Sequence, residues 1–348
     1  MEKCIKNKEN IKKANNHYVW LDLLKILACF LVIVNHSVSY LLDSSGYNNY
    51  SVLVYSCAFA ICKIGVPIFL MITGILLNKQ MNYRYIGKKI FRIIVPLVLL
   101  SAYIYIRNYG IHFNFFKSIL EDPISIPHWY LYMLIGLYLM MPLVEKMIRN
   151  FDKDDYRFLI MIALFIPGTL YVIQSLTPIH ISDYLLLAIL PYPIAYCIAG
   201  IYLTKVELTK RNRNIAIICF MIPLLIFILS LYIPYIKYQE ISHALDACRN
   251  ITTSLPAMAA FYLFRYYFED NHFSAFTSKW IKEIALSTFG IYLFHFIFIP
   301  KIYRLTMIQN IFAFSSFIGI FTFQICLFIC CGIITYCLRK IPVVKNFL

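Results

Sequence analysis

The chain has 348 residues, of which 61% are hydrophobic and only 14% charged, against about 25% charged in an ordinary soluble domain. Lys and Arg number 32 and Asp and Glu 17, a formal net charge of +15. Low charge with 17% aromatic residues excludes a disordered chain. Basic residues set between long apolar runs, rather than gathered on a polar face, argue against a nucleic-acid binder. The composition points to a multi-pass protein whose partner is the lipid bilayer.

A span needs about 20 mainly apolar residues. Such runs fall at about 19 to 42, 51 to 77, 90 to 107, 128 to 148, 157 to 176, 183 to 204, 214 to 233, 250 to 268, 284 to 304 and 311 to 338. They predict an all-α polytopic membrane protein with about ten transmembrane helices. Met1 to His17 is basic, but the apolar run behind it is too long for a secretory signal and has no evident small-residue cleavage site; it is read as the first span. Internal prolines such as Pro67, Pro96, Pro142, Pro167 and Pro223 are compatible with bundled membrane helices, where neighbours satisfy the freed backbone groups. Alternate loops carry 24 Lys and Arg on one side and 6 on the other. The positive-inside rule then predicts both termini in the cytoplasm and a multi-pass cytoplasmic-membrane location. The expected organisation is a tail over 1–18, one membrane domain over 19–338 and a tail over 339–348.

Ionisable groups within spans are costly and are functional candidates by default. The first span carries Asp22, Lys25 and His36, with Asn35 beside the histidine. Asp22 and Lys25 are three residues apart and can neutralise each other. His36 follows Lys25 by eleven residues, within about 20° of full turns and about 16 Å along a helix, so both share a face. Imidazole is the side chain best suited to exchange a proton near neutral pH; hydrogen bonding to a neighbouring helix is the alternative use. Asp22 lies about 21 Å from His36 along the same helix and so cannot be the carboxylate that orients it.

Lys63 sits mid-span in the second run and needs a partner or a water-filled cavity. Lys88, Lys89 and Arg92, with Arg84 close by, open the third run. Such a cluster can clasp phosphates or serve topology and lipid headgroups. Trp129 and Tyr130 begin the fourth run, where interfacial anchoring is the ordinary role. The ninth run places His295 at mid-membrane with Ser287 and Tyr292 as polar companions. The 11 cysteines form no CxxC pair and lie mostly in apolar runs, which speaks for packing rather than a metal site or disulfide framework. GxGxxG, Walker, GxSxG and HExxH patterns are absent, so the usual sequence support for nucleotide, hydrolase and zinc-protease chemistry is missing.

Taken in order, several pieces resemble the acyltransferase 3 family of integral membrane O-acyltransferases. They are Asp22-Leu-Leu-Lys25 with His36, Gly65-Val-Pro-Ile-Phe through Thr73-Gly-Ile-Leu-Leu, Lys89 and Arg92 before Pro96, His128-Trp-Tyr-Leu, Leu137-Tyr-Leu-Met-Met-Pro142, and Ser287 to His295. The resemblance implies a bacterial enzyme that moves an acyl group, usually acetyl, from cytoplasmic acyl-CoA to a hydroxyl of an extracytoplasmic glycan or lipid-linked saccharide, with no metal. It implies that His36 is the essential first-span histidine and that Lys25, Lys88, Lys89 and Arg92 hold the donor. Asp22, Asn35, Lys63, Trp129, Ser287, Tyr292 and His295 are supporting or substrate-binding candidates. Lys25 and Lys89 stand where the family usually has arginine, keeping the charge but losing the planar fork. A glycan or small-molecule transporter and a ligand-sensing module on the same scaffold are the competing readings. Acceptor selection is expected in the outer loops around 43 to 50, 108 to 127 and 233 to 249, where Tyr109, Phe113, Phe115, Phe116 and Tyr235 offer stacking surfaces or interfacial anchors.

Overall fold

The computed structural model describes residues 18–77, 83–110, 114–182, 191–246, 248–271 and 273–348. Most of the predicted N-terminal tail, the opening of the predicted sixth span and Phe113 lie outside the described residues. Every regular element within them is helical: α1 (Val19–Ser37), α2 (Ser39–Ser45), α3 (Asn49–Cys62), α4 (Gly65–Leu77), α5 (Tyr83–Tyr109), α6 (Phe115–Glu121), a 3-10 turn (Ile126–His128), α7 (Trp129–Ile148), α8 (Lys153–Ile160), a π-turn (Met161–Phe165), α9 (Ile166–Leu176), α10 (Tyr192–Lys205), α11 (Lys210–Tyr238), α12 (Ile251–Phe268), α13 (Ala275–Tyr303), α14 (Thr306–Phe314), α15 (Ser316–Leu338) and a 3-10 turn (Val344–Asn346). Helix starts follow local chemistry. The side chains of Asn48, Asp152, Thr209, Ser274 and Ser315 each accept a first-turn backbone N–H, satisfying donors that have no partner within the helix.

Among the described residues, eight helical segments are long and apolar enough to cross a membrane: Val19–Ser37, Asn49–Leu77, Tyr83–Tyr109, Trp129–Ile148, Lys153–Leu176, Lys210–Tyr238, Ala275–Tyr303 and Ser316–Leu338. They coincide with eight of the ten predicted runs. The other two are α10, with 14 described residues, and α12. Helix α12 contains Thr252, Thr253, Ser254, Pro256 and Arg265, and it packs against α11, α4, α1 and α10. A helix enclosed by other helices need not be apolar all round, which explains why its composition falls short of a lipid-facing span.

The second predicted run is broken in the middle, with α3 ending at Cys62 and α4 beginning at Gly65. Pro67 causes this: it lacks the N–H that would bond the Lys63 carbonyl one turn back. The break puts Lys63 at a helix end rather than within a continuous span.

Helix α1 is the axis of the bundle, packed by α13, α4, α3, α12 and α15. Without water to drive apolar faces together, membrane helices gain from close packing, which small residues permit. Gly74 of α4 and Gly200 of α10 provide it here. A Cβ at Gly74 would sit 2.2 Å from the Cys197 carbonyl oxygen, and one at Gly200 2.3 Å from that of Met71. The Cys197 thiol reinforces the contact by donating to the Leu70 carbonyl at 3.2 Å.

Candidate active site

Two cavities lie end to end beside α1. The first, of about 320 Å³, is lined by Lys25 of α1, by Lys89 and Arg92 of α5, and by Thr73, Tyr138 and a largely apolar wall. The second, of about 240 Å³, holds Asn35, His36, Cys62, Lys63, Trp129, Asp246 and Cys248. Val32, Val66, Tyr130 and Tyr292 line both. These four come one each from α1, α4, α7 and α13, and together form a waist between the cavities.

The helical repeat explains the alignment. Lys25, Val32 and His36 are spaced seven and four residues apart, so they form one stripe down α1. That stripe passes a cation in the first cavity, the waist, and an imidazole in the second. Two contacts hold the aromatic half of the waist. The Tyr292 hydroxyl donates to the Pro127 carbonyl, and the Tyr130 and Tyr292 rings meet edge to face at 5.5 Å between centroids, a favoured geometry for aromatic pairs.

The first cavity presents three cationic side chains and no acidic one along its wall. It is therefore suited to an anionic group beside an apolar one. Lys88 does not join it: the residue is exposed, whereas its neighbour Lys89 lines the cavity, with its ammonium 5.4 Å from the ring centroid of the exposed Tyr85. Phe347 and Leu348 close part of this cavity, and Phe347 packs on Phe91 of α5 at 5.9 Å.

In the second cavity Lys63 finds the partner its sequence position required. Its ammonium lies 2.7 Å from Oδ1 of Asp246 and 3.9 Å from the Phe59 ring centroid. Asp246 belongs to the loop after α11, which Gln239 enters in the left-handed conformation at φ 59°. The loop is anchored where the Asn250 amide donates to the Leu245 carbonyl at 2.9 Å and the Tyr196 hydroxyl to the Cys248 carbonyl at 2.5 Å. Thus the loop around 233 to 249, expected on the outer side, contributes Asp246 and Cys248, and the loop around 108 to 127 contributes Pro127. The loop around 43 to 50 contributes no lining residue. Tyr109 and Phe116 are exposed and Tyr235 is buried; none of these, nor Phe115, lines either of the two cavities.

His295 lies behind the second cavity, fully buried, with its ring 5.3 Å from that of His36. Ser287 serves elsewhere. Its hydroxyl donates to the Glu283 carbonyl at 2.9 Å and faces the Arg339 guanidinium at 3.3 Å. Arg339 in turn pairs with the Glu283 carboxylate at 3.3 Å, tying α13 to the end of α15. Asp22 occupies the first turn of α1 and lines neither cavity.

Of the predicted site residues, the fold thus brings Lys25, Lys89 and Arg92 to one cavity and His36, Asn35, Lys63 and Trp129 to the next, with Tyr292 between. Sequence reasoning missed Asp246 and the waist residues Val32 and Val66, and it gave Tyr130 only an anchoring role. A lone loop carboxylate and two valines in apolar runs carry no pattern, although the spacing of Val32 with Lys25 and His36 was there to be read.

The chain belongs to the acyltransferase family defined by the Acyltransferase domain, whose family model matches residues 18–337. It is a multi-pass membrane acyltransferase. Comparison with curated proteins and with solved structures gave no match.

Proposed function

We propose that the protein is an O-acetyltransferase of the cytoplasmic membrane that takes its acyl group from acetyl-CoA, or another acyl-CoA, on the cytoplasmic side and delivers it to a hydroxyl of an extracytoplasmic glycan or lipid-linked saccharide. The observation that carries this reading is the pair of cavities meeting at the four-residue waist, cationic on one side and bearing His36 on the other. The basic bias of the loops supports an orientation with Lys89 and Arg92 facing the cytoplasm.

The residues of the first cavity fit the donor chemically. Lys25, Lys89 and Arg92 would hold its phosphates through charge-assisted hydrogen bonds. Val66, Phe69, Ile72 and Leu134 offer an apolar wall to the acyl-bearing arm. When bound, the donor supplies an activated thioester carbonyl. His36 would remove the proton from the acceptor hydroxyl as a general base while the hydroxyl oxygen bonds to that carbonyl, the C–S bond would break, and the departing CoA thiolate would take the proton back from the imidazolium; general-base assistance of this kind is worth about 10²- to 10⁴-fold in rate. Trp129 and Tyr130 give apolar faces for a sugar ring. Asn35, Lys63 and Asp246 are hydrogen-bonding groups for its hydroxyls. Tyr130, Tyr292 and the two valines restrict water between the cavities, which protects the thioester from hydrolysis.

The test is binding and turnover of radiolabelled acetyl-CoA by purified protein supplied with membrane glycans. The wild type binds the donor, releases CoA and labels a glycan. His36→Ala binds equally and releases none, whereas Lys89→Ala with Arg92→Ala abolishes binding. Wild-type turnover by His36→Ala sinks the catalytic assignment.

A further inference from the structure

His36 can act as a base in one direction only if its other ring nitrogen is held. No carboxylate on α1 can do this, because Asp22 is about 21 Å away along the helix. The structure offers a different group. His295 is fully buried in α13, and its Nδ1 lies 2.5 Å from the Tyr292 carbonyl oxygen. A carbonyl only accepts, so this contact fixes the proton on Nδ1 and leaves Nε2 of the neutral ring as a lone-pair acceptor. That Nε2 is buried and has no hydrogen-bond partner among the described residues. A buried acceptor without a donor is unusual and calls for a functional or structural reason.

The nearest polar ring is His36, with centroids 5.3 Å apart and planes inclined by 39°. At that separation a modest rotation of one ring joins the two by an N–H···N hydrogen bond, and one bridging water joins them by an N–H···O and an O–H···N bond instead. His36 is the partner free to turn, because it lines the second cavity whereas His295 is tied to the backbone. Phe296 lies edge-on to both rings, at 6.2 Å from His36 and 6.4 Å from His295, and walls the pair on that side with apolar atoms.

We propose that His295 is the positioning residue for His36: its Nε2 accepts the N–H of the His36 imidazole and so selects the tautomer whose other nitrogen faces the second cavity as a base. Tyr292 sets this arrangement twice over, since its carbonyl fixes the His295 proton and its ring forms part of the waist. When His36 takes a proton from an acceptor hydroxyl, both its nitrogens carry hydrogen, and the bond to His295 stabilises the resulting imidazolium. An imidazole thus fills the role that a carboxylate fills in many histidine-based sites, without adding a buried negative charge. The proposal rests on the reading of His36 as the base.

Two substitutions separate positioning from packing. In His295→Gln the amide oxygen can occupy the place of Nε2, keeping the acceptor and losing the Nδ1 position. In His295→Asn the amide can occupy the place of Nδ1, keeping the bond to the Tyr292 carbonyl and losing the acceptor. Ring-¹⁵N-labelled histidine in the purified full-length protein reads the tautomer of His36 directly by NMR. The expected result is one neutral tautomer of His36 in the wild type and in His295→Gln, and a mixture in His295→Asn. In acetyl-CoA turnover, His295→Asn then loses kcat on the order of 10²-fold with KM for the donor unchanged, and His295→Gln recovers most of it. Unchanged His36 ring shifts in His295→Asn, or turnover in His295→Asn equal to or above that of His295→Gln, would overturn the proposal and leave His295 as a packing residue tied to Tyr292. A wild type that releases no CoA defeats the acetyl-transfer reading, while the tautomer measurement still decides the link between the two histidines.

Discussion

Lys63 and Asp246 bridge a broken helix and the loop after α11: the ammonium just past the end of α3 reaches a carboxylate far along the sequence, at 2.7 Å. The lysine side chain is 14% exposed and the carboxylate 29%, so solvent screens the pair only in part. Removing one partner leaves the other in a partly enclosed cavity without its counter-charge. Lys63→Met and Asp246→Asn each lower the melting temperature in detergent, and the double variant loses less than the sum. A double-mutant cycle gives a coupling of about 0.5 to 3 kcal/mol; strict additivity contradicts the bridge.

Helices α4 and α10 touch through backbone at Gly74 and Gly200. Gly74→Ala and Gly200→Ala each drive a methyl group into a carbonyl of the facing helix, and neither clash is relieved by turning a side chain. Each costs about 1 to 3 kcal/mol, as overpacking does. Thermal unfolding followed by gel filtration reads the loss. Gly136→Ala serves as the control, since a Cβ there meets no atom within 4 Å. Equal melting of all three contradicts the close approach.

Enlarging the waist residues separates binding from transfer. Val32→Phe adds bulk between the cavities without replacing Lys89, Arg92 or His36. Donor affinity stays within a few-fold of the wild type while transfer falls on the order of 10²-fold, the cost of misplaced reacting groups. Equilibrium binding and single-turnover labelling measure the two quantities separately, and transfer at the wild-type rate would exclude the waist from the acyl path.

Ser287→Ala leaves donor binding and kcat unchanged, because its hydroxyl serves Glu283 and Arg339 rather than either cavity. Arg339→Met destabilises the protein more than Ser287→Ala does, since it also leaves the Glu283 carboxylate unpaired. Thermal melting and steady-state turnover of the two variants check both statements. A kcat defect in Ser287→Ala places the residue in the active site instead.

Most of the fold was legible because membrane spans announce themselves by length and apolarity: eight of the ten predicted runs are single or interrupted helices that meet both criteria. Helix α12 escaped the same criterion because protein, not lipid, surrounds its threonines. The stripe from Lys25 to His36 was legible from helical spacing alone, which relates residues on one helix and nothing else. The Lys63 partner, the tie between His295 and Tyr292, and the meeting of His36 with His295 depend on how the chain folds back on itself and how separate helices and a distant loop pack. No local pattern encodes them. Ser287 shows the converse. It shares α13 with Tyr292 and His295 and reads in sequence as their polar companion, yet its position on that helix turns it toward Arg339 instead of the cavities.

If the acyl group crosses the waist between the two cavities, sealed inverted membrane vesicles test that crossing most directly. Radiolabelled acetyl-CoA is added outside, to the face expected to carry Lys89 and Arg92, and the vesicles' own glycans serve as acceptors. Label is expected on glycans inside the lumen, protected from external glycosidases until the membrane is opened, and none with His36→Ala. Label confined to the outer face, or equal in His36→Ala, would contradict transfer through the waist.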